Sequence, residues 1–208
     1  MVASLLALRA LSGWLFKRVE ASSSYVFDAD GLQGIANTGA GLPIRERWDA
    51  IHKELLRRYP GKVASEVRWV FNSAGNVPCQ LAIVYASPIE YVAFFGTPIG
   101  ATGFSGRYCH ADVWDLMVQG RMLTYTPGQF EPTEYGPGDP AFLPKGTVKT
   151  MAYVGSTWMI DYGRGLPITM MPFGITGPAA FATLDFRSAR EQLTDYGRLV
   201  LRGMFKTD

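Results

Sequence analysis

Two aspartates in apolar surroundings carry the clearest chemical potential of this chain. Asp115 falls in GFSGRYCHADVWDLMVQG (residues 103–120) and Asp161 in TWMIDYGRG (residues 157–165). If the second run is a strand, Asp161 shares a face with Met159 and alternates with Trp158 and Ile160. A carboxyl buried among such side chains has a raised pKa unless it is paired, and two that meet in one interior share a proton rather than both ionise. A neutral acid shielded from water is what protonation of an unactivated alkene requires. Spacing also allows each acid to pair separately, Asp161 with Arg164 for instance, and then both are structural. A third acid, Glu90, enters the otherwise uncharged run IEYVAFFGT (residues 89–97). Buried there, it must be paired or hydrogen-bonded, and a structural acid held by backbone amides is the reading it suggests.

The spacing around Asp115 says what must position it. Gly103 is followed by five residues, then Cys109 and Ala111, then Asp115 and a closing Gly120. Further on, Gly138 is followed by five residues, Pro144-Lys145-Gly146, two more residues and Lys149. These are the cadences of the two cupin signatures, in order, and they predict a cupin-like β-barrel. The positions that hold metal ligands in such barrels are here Cys109, Ala111, Asp115 and Lys149. An ammonium has no free lone pair at neutral pH, so a metal-free pocket is expected. Cys79 and Cys109 are distant in sequence with no CxxC, and read as reduced thiols.

At 208 residues, 48% hydrophobic and 18% charged, the chain suits one apolar domain, and a net charge of +2 lends no support to nucleic-acid binding. Residues 1–16 are apolar apart from Arg9 and fall short of the roughly 20 residues of a full span. They predict a helical membrane anchor, spanning or interfacial, so that residues 1–20 form the anchor and 21–208 the barrel domain. Residues 25–27 lead to a short helix capped at Asp28, which Gly31, Gly34, Gly39 and Gly41 then break. Pro43 opens a better helix with Ile44, Trp48, Ile51 and Leu55 on one face, its charged residues solvated, and Pro60-Gly61 ends it. From Val67 the period is that of strands, with Val67, Trp69 and Phe71 alternating with Arg68 and a turn over 72–76. Apolar runs at 81–85 and 91–95 suit strands buried on both faces, and short strands separated by Gly and Pro continue to about residue 162. After the uncharged run 167–177, one long helix is expected over 178–205. Its apolar stripe (Phe181, Leu184, Ala189, Leu193, Tyr196, Val200, Met204), with arginines opposite, suits a membrane surface or the open end of a barrel.

Several runs occur together: IEYVAFFGT, SGRY (residues 105–108), Asp115 ahead of Gly120, TWMIDYGRG, and a C-terminal helix with Asp185, Phe186 and Tyr196. On these, residues 25–205 resemble the sterol C-8 isomerase and sigma non-opioid receptor family. The resemblance implies a mainly β fold, a metal-free cupin-like barrel with an N-terminal membrane-anchor helix and two C-terminal amphipathic helices closing it. It further implies a homotrimer in the endoplasmic reticulum membrane and no cofactor. The family's paired acids map onto Asp115 and Asp161, and its pocket aromatics onto Tyr91, Phe95, Tyr108 and Tyr153. Phe104, Trp158 and Tyr196 join them as expected substrate-binding residues. The chain has Asp161 where the family usually has Glu, and Phe104 where it often has His, and both changes reshape the pocket.

The function implied is a double-bond shift in a sterol or related isoprenoid through a carbocation. The same acids allow a terpenoid cyclase or isomerase of specialised metabolism, or a binder of lipophilic amines or sterols without turnover. In each case the partner is a hydrophobic small molecule at a membrane, with no nucleic acid.

Overall fold

The apolar stretches after residue 100 form two strands much longer than the pieces expected from their glycines and prolines. In the computed structural model, which describes residues 24–205, β5 (Ala111–Tyr125) and β8 (Thr150–Gly165) run antiparallel along one another. Around them, β1 (Val70–Asn72), β2 (Cys79–Ala86), β3 (Glu90–Thr97), β4 (Ala101–Phe104), β6 (Thr133–Tyr135) and β7 (Pro140–Leu143) complete an eight-stranded sheet. Its order is β1-β2-β3-β8-β5-β6, with β4 on β8 and β7 on β5.

Both long strands change partners midway. Residues 157–164 of β8 pair with β3 and 150–153 with β4, while β5 pairs with β7 through 113–116 and with β6 through 122–124. The change falls at a bulge between the pairs Gln119↔Trp158 and Arg121↔Val154. Gly120 sits there at φ +84°, where a Cβ would stand 2.3 Å from the Ser156 carbonyl oxygen. The glycine that closes the first signature is therefore a bend inside a strand rather than its end.

Alternation along β3, β5 and β8 sorts side chains into two layers. On one face Val92, Phe94, Leu116, Val118, Ile160 and Tyr162 pack under two helices. The first, α1 (Ala29–Ala36), is capped by Asp28, whose Oδ1 accepts from the Gly31 amide at 2.7 Å. Gly31 and Gly34 lie within this helix rather than breaking it, and the chain turns at Gly39 and Gly41, with φ of +67° and +89°. The second, α2 (Ile44–Arg58), buries Trp48, Ile51 and Leu55, and Trp48 stacks on Phe94 with centroids 4.4 Å apart. Each such side chain contributes about 1.5–3 kcal/mol by leaving water. Arg47 departs from the solvated face expected of α2. It is buried, and its Nη2 donates to the Ala36 carbonyl at 2.9 Å, satisfying the end of α1.

The opposite face forms the interior, with Val77, Cys79, Met117, Met122, Met151, Tyr153 and Met159 in one cluster. At the edge strand β1 the phase is the reverse of the sequence reading. Val70 is buried and Phe71 is 73% exposed, because pairing of Val70 with Leu81 sets the register.

Beyond β8 the chain winds through a 3₁₀ turn at Pro167–Met170 and wide π turns at Pro172–Thr176 and Ala179–Thr183. Leu184 then adopts a left-handed conformation, φ +57°, and α3 (Phe186–Phe205) begins. The continuous helix from residue 178 is thus broken, and one α-helix preceded by turns stands where two C-terminal helices were expected. The expected apolar stripe also divides. Ala189 and Tyr196 are buried, whereas Phe181, Leu184 and Leu193 are exposed; outside that stripe, Gln192 and Leu199 are buried and Phe186 and Leu201 exposed. Polar ties fix α3 against β1: Asn72 Nδ2 donates to Gln192 Oε1 at 2.7 Å, and Arg68 pairs with Asp195 at 2.8 Å. The anchor expected in residues 1–16 lies outside the described residues. Among the described residues, no helix is long and apolar enough to cross a membrane.

Candidate active site

The β5–β8 register sets Asp115 directly opposite Asp161. Side chains so paired stand about 4.5–5.5 Å apart at Cβ, and two like charges there destabilise a sheet. The surroundings resolve the conflict differently for each acid.

Asp115 receives a cation. Lys149 Nζ lies 2.7 Å from Asp115 Oδ2, and both residues are buried. Lys149, the residue just before β8, is held there through its backbone by Ser105. The Ser105 hydroxyl accepts from the Lys149 amide at 2.8 Å, and the Lys149 carbonyl accepts from the Ser105 amide at 2.9 Å. The serine that opens SGRY therefore aims the lysine at the acid.

Asp161 receives a neutral donor. The Tyr91 hydroxyl lies 3.0 and 3.1 Å from its two carboxyl oxygens and donates to them. Tyr91 sits opposite Gly163 in the β3–β8 ladder, and a Cβ on Gly163 would come within 2.0 Å of the Tyr91 ring. The ring lies across that gap, which brings its hydroxyl to the neighbouring acid. Burial first, and the Asp115 charge second, push the Asp161 carboxyl up to about 8 from an ordinary 3.8, while Tyr91 and Lys149 pull the other way. Both upward influences favour the protonated form of the Asp161 carboxyl. Burial raises the hydroxyls of Tyr91, Tyr108 and Tyr153 as well, so all three remain neutral.

Two cavities meet at Asp161. The inner one, about 80 Å³, is lined by Asp115, Lys149 and Asp161 with Tyr91, Phe95, Phe104, Tyr108 and Tyr153. The outer one, about 110 Å³, shares Tyr91, Phe95, Tyr108 and Asp161 and extends past Leu81 and Ile83 to Met170, Met171, Ile175 and Tyr196. Pockets that bury a drug-sized ligand measure about 300–1,000 Å³, so an occupant of that size requires the covering turns to shift.

Of the aromatic residues expected in the pocket, Tyr91, Phe95, Tyr108 and Tyr153 line it, Phe104 stands 56% exposed at its edge, and Tyr196 lines the outer cavity. Trp158 does not. It alternates with Asp161 along β8 and packs on the helix-covered face against Trp48 and Trp69. Glu90 lies apart from the acid pair. Its carboxylate accepts from the Val26 amide at 2.6 Å, the Phe27 amide at 3.4 Å and the Tyr162 hydroxyl at 3.2 Å. Burial is the largest influence and raises its pKa, against the pull of those donors.

Of the four positions of the cupin signatures, Asp115 and Lys149 come together, Ala111 is buried without a donor atom, and Cys109 is exposed. An ammonium bonded to the one remaining carboxylate does not fit a metal ion. Sequence reasoning treated Lys149 as a lost ligand and missed it as a partner of Asp115. Its signal was present, since both signatures converge on one point in a cupin barrel. Ser105 and Gly163 were also missed as positioning residues, although both stood inside quoted motifs. Met170 and Met171 were signalled only by the absence of charge around them.

The inner face of the sheet, with its paired acids under a helical cover, encloses a small and largely apolar site. Among solved structures, an RmlC-like cupin from Shewanella frigidimarina covers 49% of this chain and 86% of its own at TM-score 0.41 and 15% identity. Residues 2–207 match the family described as ERG2 and Sigma1 receptor like protein, and the chain belongs to it. A protein erg2 homolog of Dictyostelium discoideum is 33% identical over 172 residues, 83% of this chain and 73% of the relative. The sigma non-opioid intracellular receptor 1 of Xenopus tropicalis is 30% identical over 197 residues, 94% of this chain and 86% of the relative. The C-8 sterol isomerase erg2 of Aspergillus fumigatus is 33% identical over 181 residues, 85% and 74% of the two chains.

Proposed function

We propose that this protein shifts a carbon–carbon double bond in a sterol or related isoprenoid, in the manner of a C-8 sterol isomerase. The observation that carries the reading is the cross-strand pair Asp115–Asp161, with Asp161 pushed up to about 8 by burial and by its partner's charge. A neutral carboxylic acid thus faces an apolar cavity at physiological pH.

In the proposed step the Asp161 proton adds to one alkene carbon. The π electrons form the new C–H bond and leave a tertiary carbocation on the other carbon. Two carboxylates and the ring faces of Tyr91 and Tyr108 stabilise that cation. Loss of a proton from the adjacent carbon to Asp161 places the double bond one position along and restores the acid. The step is redox-neutral and consumes no co-reactant. Asp115 stays paired with Lys149 throughout.

Exposed Phe181, Leu184, Phe186, Leu193 and Leu201 support seating of the C-terminal segment on a membrane surface. Residence in the endoplasmic reticulum membrane and assembly as a homotrimer complete the proposal, following the family resemblance.

Incubation with a delta-eight sterol in heavy water tests it, and a shifted product carrying one deuterium is the expected result. The receptor relatives favour a second reading, in which the same cavity binds its ligand without turnover. Saturable sterol binding with no deuterium incorporation overturns the isomerase in favour of that reading. Conversion of a polyprenyl substrate to a ring would instead establish a cyclase.

A further inference from the structure

Two carboxylates in an apolar cavity are by themselves a site for a cation. In this protein a cation is already there. We propose that Lys149 is a resident counter-ion that determines ligand charge: its ammonium, held against Asp115 within the cavity, selects uncharged isoprenoid-like ligands over lipophilic amines. The inference rests on the reading of these cavities as the ligand site and adds the charge class of the ligand.

The geometry places the ammonium as a wall of the site. Lys149 lines the inner cavity beside Asp115 and Asp161, and its Nζ is 2.7 Å from Asp115 Oδ2. The Ser105 clamp holds the backbone of Lys149 at two points, so the side chain starts from a fixed base. With 7% of the lysine side chain and 12% of the aspartate side chain exposed, water screens the pair little.

Charge balance then decides what can enter. Among the described lining residues of the two cavities, Asp115, Lys149 and Asp161 are the ionisable side chains apart from the tyrosines. The Asp115–Lys149 ion pair is balanced within itself, and burial favours the protonated form of Asp161. An uncharged ligand enters this balanced site and finds an acid proton to accept. A protonated amine, unlike a cation made within the site from the Asp161 proton, adds a second positive charge beside Lys149. It must displace the ammonium from Asp115 or expel the Asp161 proton to bulk solvent, and either change costs affinity. Tyr91 offers no relief, because its hydroxyl already donates to Asp161.

The test compares N,N-dimethyldodecylamine, protonated at pH 7, with uncharged N,N-dimethyldodecanamide, on the full chain in detergent by titration calorimetry. Wild type is expected to bind the amide roughly tenfold or more tighter than the amine. Lys149→Gln removes the charge but leaves Asp115 a hydrogen-bond donor. It should tighten the amine by roughly tenfold or more while the amide stays within about threefold. Lys149→Arg, which keeps the cation, should retain the wild-type preference. A structural role alone would weaken both probes together. Should Lys149→Gln fail to fold, Lys149→Met and the wild-type ratio carry the same comparison. Wild type binding the amine as tightly as the amide overturns the inference and leaves the acid-pair reading standing. If folded wild type binds neither probe nor a sterol, the ligand-site reading falls, and the inference with it.

Discussion

Gly163 faces Tyr91 across the β3–β8 ladder, and its missing side chain is what allows the Tyr91 hydroxyl to reach Asp161. A glycine near the end of a long strand is thus part of the acid's environment. Its removal should be felt as chemistry. Gly163→Ala puts a methyl where the ring lies, and overpacking of this kind costs about 1–3 kcal/mol of stability. The turnover number should fall by roughly tenfold or more as the ring is displaced. Thermal melts and steady-state kinetics of the variant check both effects, and unchanged kinetics would remove Tyr91 from the mechanism.

Tyr91→Phe isolates the hydrogen bond. That bond lowers the Asp161 pKa, so its loss should move the basic limb of the activity profile to higher pH. The kcat–pH profile of the variant beside wild type reads the shift, and a shift to lower pH would contradict the hydrogen-bond assignment.

The raised Asp161 pKa makes stability depend on pH in a stated direction. Between about 4 and about 8 the unfolded chain releases this proton while the folded chain retains it, so the folded state binds more protons. Folding stability must then decline as pH rises through that window, and the contribution is fully present below 3.8. Asp161→Asn should flatten the decline and abolish turnover. Denaturant midpoints measured across pH 4–8 for both proteins are the check, and identical slopes would contradict a buried neutral acid.

Asp115→Asn should behave differently from Asp161→Asn, although both remove a carboxylate from one site. It leaves the Lys149 ammonium buried without its counter-charge, a loss of about 3–5 kcal/mol. Asp115→Asn is therefore expected to be inactive and unstable, and Asp161→Asn inactive and stable. Urea unfolding of the two variants side by side decides the matter.

Glu90→Gln should separate the structural acid from the pair. The Gln amide can accept with one atom only, so one of the donors at Val26 or Phe27 faces an N–H group. An unsatisfied buried donor costs about 1–3 kcal/mol. A lower melting temperature with turnover per folded molecule unchanged is expected, and a large fall in turnover would place Glu90 in the mechanism.

What was legible in the sequence was what local periodicity and spacing encode. The apolar face of α2, the Asp28 cap, the buried run of β3 and the two spaced signatures depend on neighbours a few residues away, and each was readable without knowing where the chain goes next. Tertiary structure decided whatever depends on register between distant strands. Gly120 closes the first signature in sequence, yet β5 runs through it because β5 and β8 bend together at one bulge. Phe71 follows an apolar alternation but lies outward, since pairing with β2 sets the phase of β1. Trp158 stands three residues from Asp161, and strand alternation sends it to the helix-covered face. Lys149, 34 residues from Asp115 in sequence, pairs with it at 2.7 Å only when β5 and β8 lie along one another. No local rule joins residues so far apart. Two acids with a spacing suited to chemistry were written in the sequence, and the fold set them opposite one another, one against Lys149 and the other against Tyr91.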